Sequence, residues 1–358
     1  MTSTGKTLTA LEAQARAQWI AFAPFVFQAA RILRHSGLLG AIEKAAPAGL
    51  TLDEARAHLT WSEYATRVLL EAGLGIGLLQ LKDGRYCTTR TAYFLLHDGL
   101  TQANMDFTQD VNYLGLFHLE EALRTGTPAG LKVFGPWPTI YEGLAHLPQP
   151  VRKSWFAFDH YYSDAAFPAV LPHVFRHAPR RLLDIGGNTG KWALHCLRHD
   201  PQVQVTILDL PGQLRLAEQT VREAGFASRV AFHEANLLDP ASPLPGGFDA
   251  VWMSQFLDCF SEAEIVSILQ RCRAALAANG RPESRIYILE PLWDRQRIEA
   301  AAFSLQMTSL YFTAMANGNS RMYESSAFFA LLAQAGLQVR EQVDHLGIGH
   351  TLLACTPA

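Results

Sequence analysis

The stretch LLDIGGNTGKWALH, Leu182 to His195, follows an apolar run with an acid, three glycines in five residues and then a helix-forming segment. A glycine-rich turn opening a helix is built to hold a ligand, because the free N–H groups of the first helical turn point outward. A triphosphate loop needs four residues between its first glycine and the Gly-Lys pair, then Ser or Thr for magnesium. Here three residues separate Gly186 from Gly190, and Trp192 follows Lys191. The dinucleotide spacing GxGxxG also fails, since the order is Gly186, Gly187, Asn188, Thr189, Gly190. Asp184, two residues before the first glycine, would repel a pyrophosphate and welcome a cation. Asp209, in TILDLPG, lies 25 residues beyond Asp184, near the position where an acid grips a ribose hydroxyl pair. The loop therefore calls for a ribose and a positive charge without phosphate. S-adenosylmethionine, with its sulfonium, ammonium and ribose, meets all three demands.

The elements that must position this loop are legible around it. From Arg180 onward, strand-like and helical runs alternate: RRLLDIG, VQVTILDL, RVAFHEAN, FDAVWMSQ and SRIYILEPL, with helices clearest at 211–224 and 261–278. This predicts a doubly wound α/β layout with a parallel sheet. The end departs from it, because GLQVREQVDHLGIGHTLLACTP reads as two strands around Leu346-Gly347-Ile348-Gly349, an antiparallel hairpin closing the sheet. Residues 9 to about 105 read as mostly helical. A long apolar-rich helical stretch is broken at Pro24 and ends at Ser36-Gly37. Thr51 with Glu54 forms a capping box. A second helix, WSEYATRVLLEAGLG, precedes two short strands around Lys82-Asp83-Gly84-Arg85, a hairpin signal. Helix, turn, helix, hairpin is a winged-helix pattern. The expected organisation is a winged-helix-like domain over 1–105, a helical connector contributing to the substrate pocket over 106–178, and an α/β ligand-binding domain over 179–358.

Composition narrows the function classes. The chain has 358 residues and a formal net charge of −3, which gives no electrostatic reason to expect nucleic acid or an anionic membrane. A winged helix could serve a DNA-binding regulator, but the second helix carries one arginine and no lysine where a groove reader wants a basic stripe. Trp19, Ile20, Phe22, Phe25, Val26 and Phe27 place apolar residues on more than one helix face, the pattern of a surface buried against a second subunit. The five cysteines are scattered without CxxC spacing, and the N-terminal residues lack a signal-peptide pattern. A reducing cytoplasm is the expected compartment. No apolar run reaches membrane-spanning length. The thirteen histidines form no metal-ligand spacing, and no metal is expected.

With these motifs in place, the last half resembles a class I S-adenosylmethionine-dependent methyltransferase. Nearly the whole chain is similar to the small-molecule O-methyltransferases that join a winged-helix-like dimerisation domain to that fold, so a seven-stranded sheet and a homodimer through the N-terminal domain are implied. DIGGNTG matches that family's DxGGGxG loop, with Asn188 at the third glycine, and ILDLP its second motif. The resemblance implies cofactor contacts from Asp184, Gly186, Gly187, Asn188 and Gly190, and from Asp209 with Leu210. HEANLLDP falls where the family has GDFF beside the adenine, which assigns Asn236, in place of the acid, and Leu237 to that end. FDHYYSD resembles the helix over the methionine end, bringing in Phe158 and Tyr162. A lysine of the family falls at Ser254, next to Gln255. MANGNSRMYESSAFFALLAQAGL matches the late NGxxRT segment.

The resemblance also implies methyl transfer to a small aromatic hydroxylated acceptor, on oxygen or on a ring carbon of a phenol. The family base is the histidine of LHDW, and Asp258 stands there, in Leu257-Asp258-Cys259-Phe260. A phenol pKa near 10 against an ordinary aspartate near 3.9 makes full proton transfer cost about 8 kcal/mol. Either burial raises Asp258, or the acceptor is more acidic, or another group is the base. His160, His350, Glu290 and Glu324 are the candidates. A helix-capping role for Asp258 is the structural alternative. A family member that binds the cofactor without transferring methyl is the functional one.

Overall fold

A computed structural model describes residues 7–277 and 281–358. Residues 1–6 and 278, included above in the N-terminal segment and in the helical stretch 261–278, lie outside the described residues. The chain divides into two units, Thr4–Thr108 and Gln109–Ala358. The segment 106–178 read as a connector thus falls, apart from its first three residues, within the larger unit.

The smaller unit follows its local signals. Helices Ala10–Ala21 and Ala23–His35 meet at Phe22, with Pro24 in the first turn of the second. Proline there costs no hydrogen bond, since that N–H is unpaired in any case. Gly37 adopts φ +78° and turns the chain into Leu38–Lys44. The Thr51–Glu54 capping box forms at the head of Leu52–Arg56, with the Glu54 carboxylate accepting from Thr51 N at 2.8 Å. Helix Glu63–Gly75 and an antiparallel hairpin, β1 (Leu79–Lys82) and β2 (Arg85–Thr88), complete the winged-helix pattern. The hairpin turns on Asp83 and Gly84, both at positive φ, as a two-residue turn requires. Leu33, Leu38, Leu39, Ile42 and Leu70 are fully buried at the centre of this unit. The single arginine of helix Glu63–Gly75, Arg67, is paired with Glu63 at 2.9 Å. The helix Ala10–Ala21 buries none of its residues.

The larger unit is built on a seven-stranded sheet: β3 (Arg181–Ile185), β4 (Gln204–Asp209), β5 (Val230–Glu234), β6 (Ala250–Ser254), β7 (Arg285–Glu290), β8 (Leu337–Leu346) and β9 (His350–Pro357). The order across the sheet is β5-β4-β3-β6-β7-β9-β8. The first five run parallel, and β9 enters antiparallel between β7 and β8. The central strands β3, β6 and β7 are buried on both faces, and alternation assigns each side chain to one layer. Leu183, Ile185, Val251, Met253, Ile286 and Ile288 pack on the layer that contains Ile265, Ile268, Leu269, Phe328 and Leu332. Leu182, Trp252, Tyr287 and Leu289 pack on the other, with Val170, Trp192, Leu197 and Ala217. Trp192 and Trp252 stack at 4.0 Å between centroids. The strand order reverses between β3 and β6, so a crevice opens at their carboxyl ends, the place where open α/β sheets take their ligands.

Candidate active site

A cavity of about 200 Å³ occupies that crevice. Its floor is the turn after β3. Gly186 lies at φ +71°, and a Cβ there would meet the Phe256 ring at 2.2 Å; a Cβ on Gly187 would meet Ile207 at 2.7 Å and the Asp184 carboxylate at 2.9 Å. Both positions exclude any side chain. Asn188 sits at φ +50°, a left-handed conformation that asparagine tolerates better than most residues. Its backbone N–H donates to Asp209 Oδ2 at 2.8 Å, and its side-chain amide donates to Asp159 Oδ2 at 3.1 Å. Leu210 N–H donates to the other Asp209 oxygen at 2.7 Å. Asn188 thus ties the end of β4 to helix Gln149–Ser163 through two carboxylates.

The electrostatics are unusual for so small a space. Asp184 is 2% exposed; burial, and then the Asp209 charge, push its pKa up to about 8. Burial raises Asp209 to about 6 against the lowering effect of its two backbone donors. Burial also raises Asp159 to about 7, helped by the charges of Asp258 and Asp164, and raises Asp258, 5% exposed, to about 7. His160 is held down at about 4 by burial and by the Lys191 charge, so it is neutral at physiological pH. Buried carboxylates are tolerated when something charged or hydrogen-bonding answers them. Asp184 Oδ2, Asn188 Oδ1, Thr189 Oγ1 and Ser254 Oγ are buried without hydrogen-bond partners, and all four residues line the cavity. These orphaned acceptors and hydroxyls fit a ligand with an ammonium group and hydroxyls, the chemistry expected from the sequence.

The far end of the cavity is aromatic. Tyr141, Trp155, Phe158, Phe260, Tyr311 and Phe312 line it. Trp155 Nε1–H donates to the Tyr311 hydroxyl at 2.7 Å. Asp258 lines this end beside Cys259, whose thiol lies 3.4 Å from Asp258 Oδ1. The capping alternative for Asp258 does not hold: Ser261 caps helix Glu262–Ala277, its Oγ accepting from Glu264 N and the Glu264 carboxylate accepting from Ser261 N at 2.8 Å.

Most sequence-expected site residues face the cavity. Asp184, Gly186, Gly187, Asn188, Asp209, Leu210, Asn236, Leu237, Ser254, Gln255, Phe158, Asp258 and His160 all line it. Gly190 does not; it is the cap residue of helix Lys191–His199 and lies against Ala217, where a Cβ would sit at 3.5 Å. Tyr162 is buried one helical turn beyond Phe158 and packs on that ring at 4.9 Å, outside the lining. His350 is fully buried, with Nε2 at 2.9 Å from Gln255 Oε1; it holds a residue forced to φ +45°. Glu324 is at the head of helix Ser325–Gln334, away from the cavity. Glu290 does not line the cavity either. Its Oε1 accepts from Phe256 N–H at 3.1 Å and Leu257 N–H at 2.9 Å, so it holds the turn that presents Asp258. Sequence reasoning passed over Asp159, Tyr141 and Cys259, whereas the aromatic residues of 155–168 and 303–312, which could wall a pocket, do supply Trp155, Phe158, Tyr311 and Phe312 to the lining. The acid in FDHYYSD was the one available signal for Asp159. Among the described residues, no group of three or more histidine, cysteine or acidic side chains is placed to hold a metal ion.

The Glu290 geometry separates a structural from a chemical role. Glu290→Gln keeps an oxygen acceptor for both backbone donors and is expected to fold and turn over near the parent rate. Glu290→Ala leaves two buried N–H groups unpaired, at about 1–3 kcal/mol each. Chemical denaturation alongside initial rates checks this; a well-folded Glu290→Gln that has lost all activity would contradict it.

Comparison with known proteins agrees with this geometry. The O-methyltransferase domain family matches residues 168–338, and the Dimerisation2-like domain family matches residues 14–86. A 3-hydroxy-5-methyl-1-naphthoate 3-O-methyltransferase of Streptomyces sahachiroi is 29% identical over 274 residues, covering 75% of this chain and 76% of the relative. An L-tyrosine C(3)-methyltransferase of Streptomyces lavendulae is 25% identical over 337 residues, covering 93% and 88%. In fold, the chain is similar to the S-adenosylmethionine-dependent methyltransferase SibL in its apo form, with a TM-score of 0.71 at 24% identity, covering 95% of this chain and 98% of that one. The glycine loop, the mixed sheet with its closing hairpin and the two matched segments together show an S-adenosylmethionine-dependent methyltransferase that carries an O-methyltransferase domain and a Dimerisation2-like domain.

Proposed function

We propose that this methyltransferase acts on a small phenolic acceptor and that Asp258 takes the phenolic proton. The observation that supports this most is the placement of Asp258: buried and on the cavity wall among aromatic side chains. S-adenosylmethionine, when bound, supplies an electrophilic methyl group on a positively charged sulfur. Asp184, Asn188, Thr189 and Ser254 would hold its polar groups, Asp209 its ribose, and Asn236 and Leu237 its adenine. The aromatic walls stack an acceptor ring and exclude water from the reacting end.

The proton balance then depends on Asp258. With a carboxyl pKa near 7 instead of 3.9, the gap to a phenol narrows to about 3 units, or about 4 kcal/mol. That is within reach of a base acting as the new bond forms. The phenolic proton moves to the Asp258 carboxylate, and the resulting phenolate accepts the methyl group through oxygen, or through its ortho carbon with loss of that carbon's proton as the phenol is restored. His160, neutral and at the same wall, is the alternative base.

A homodimer through the smaller unit is part of this reading. Leu11, Ile20 and Phe25 are 78%, 65% and 72% exposed, an apolar surface of the kind that marks an interface. It lies within or beside the segment matched by the Dimerisation2-like family. All five cysteines are free, in keeping with a cytoplasmic setting, and among the described residues no helix is long and apolar enough to cross a membrane.

Two outcomes follow. Because the base must be ionised, kcat/KM for a phenol identified by labelled-methyl screening is expected to rise with pH through about 7. Asp258→Asn is expected to lower it by about 10²–10⁴ while S-adenosylmethionine affinity is retained. An unchanged rate and profile in Asp258→Asn would remove Asp258 from the chemistry. In sedimentation, the full chain is expected to run at twice the mass of one chain. Replacing Ile20 and Phe25 together by aspartate is expected to yield monomer; a monomeric parent protein would contradict the interface.

A further inference from the structure

The cavity is short of positive charge. Glu142, Asp159, Asp164, Asp184, Asp209 and Asp258 line it, and Lys191 is the one lysine among the described lining residues, with no arginine. Lys191 is already answered, with Nζ at 2.5 Å from Asp164 Oδ2. His160 contributes no charge near neutral pH. At the cofactor end, Asp209 is held by two backbone N–H groups. S-adenosylmethionine carries two positive groups and one carboxylate, a net charge of one, which answers Asp184.

Asp258 then has no cation acting on it, and Asp159, tied to the glycine loop by Asn188, has only Lys191, whose ammonium is already paired with Asp164. Asp159 accepts from the Asn188 amide at 3.1 Å and lies 3.9 Å from the neutral His160 ring. Asp258 meets the Cys259 thiol at 3.4 Å. The Tyr141 hydroxyl, on the same wall, is buried without a hydrogen-bond partner. The walls are aromatic, and ring faces attract a cation. A carboxylate-bearing acceptor would add negative charge beside two carboxyls already raised to about 7, whereas an ammonium would stabilise their ionised forms and meet the ring faces.

We infer that the acceptor is a phenol carrying a protonated amine, and that Asp159 is the residue that receives the ammonium, leaving Asp258 to the hydroxyl. This rests on the phenol reading above and specifies its substrate class. It sets the chain apart from the relative named for a hydroxynaphthoate, a carboxylate acceptor.

The test is calorimetric, on full-length protein saturated with S-adenosylhomocysteine, so that no methyl transfer is needed. Three probes of similar size differ in one end group: tyramine, 4-propylphenol and 3-(4-hydroxyphenyl)propionate. Tyramine is expected to bind about tenfold to a hundredfold more tightly than 4-propylphenol, the span of a charge-assisted hydrogen bond. The propionate is expected to bind more weakly than either. Asp159→Asn is expected to collapse the tyramine-to-propylphenol ratio toward one. A propionate that binds as tightly as tyramine, a ratio unchanged in Asp159→Asn, or no binding by any probe would overturn the inference. S-adenosylhomocysteine formation from S-adenosylmethionine is followed separately. Amine-selective binding without turnover would count against methylation of phenols and for the charge preference; turnover indifferent to the end group would do the reverse.

Discussion

The buried carboxylate of Asp184 is the constraint around which the larger unit is arranged. It lies one residue before the end of β3 at the centre of the sheet, is 2% exposed, and has an oxygen with no hydrogen-bond partner. For a carboxyl raised to about 8, the sign is clear. Below about pH 4 it is protonated in both folded and unfolded chains and has no effect. Between about 4 and 8 the unfolded chain ionises and the folded one does not, so this group makes folding less favourable as pH rises through that window. A cation placed beside it reverses the balance. Gly187 is required by the same crowding, since a Cβ there would meet this carboxylate at 2.9 Å.

Asn188 converts that local arrangement into a connection across the cavity. A glycine at this position has no side chain, and the backbone donor to Asp209 would be its sole polar contribution. Asparagine accepts the positive φ and adds an amide that reaches Asp159 on helix Gln149–Ser163. The cofactor loop and the acceptor wall thereby share one residue. On the opposite side, Glu290 and His350 do similar work for the turn after β6: one binds the N–H groups of Phe256 and Leu257, the other meets the Gln255 side chain. The turn that carries Asp258 is thus fixed from behind by groups that never face the cavity.

The parts legible in the sequence were those whose cause is local. Strand runs, the capping box at Thr51 and the acid-glycine spacing from Asp184 to Asp209 express nearest-neighbour geometry, and the structure follows them. The acceptor wall was less legible. Tyr141, Asp159 and Cys259 come from three separate segments, and what joins them is packing between distant elements, which no local spacing records. Glu290 shows the converse. A strand-ending acid at the ligand edge reads as a site residue, but the turn after β6 leaves two N–H groups outside the sheet ladder, and Glu290 answers those. Tyr162 lies four residues after Phe158, near enough on the helix to share its face, yet it supports that ring from behind.

The central claim is that Asp184 is protonated in the free protein near neutral pH and gives up its proton when a cationic cofactor binds. Titration calorimetry of S-adenosylmethionine at pH 7, in two buffers of different ionisation enthalpy, measures this directly. The expected result is release of close to one proton per cofactor bound, with the buffer dependence much reduced and the affinity weakened in Asp184→Asn. A binding enthalpy independent of buffer, together with full affinity in Asp184→Asn, would contradict it.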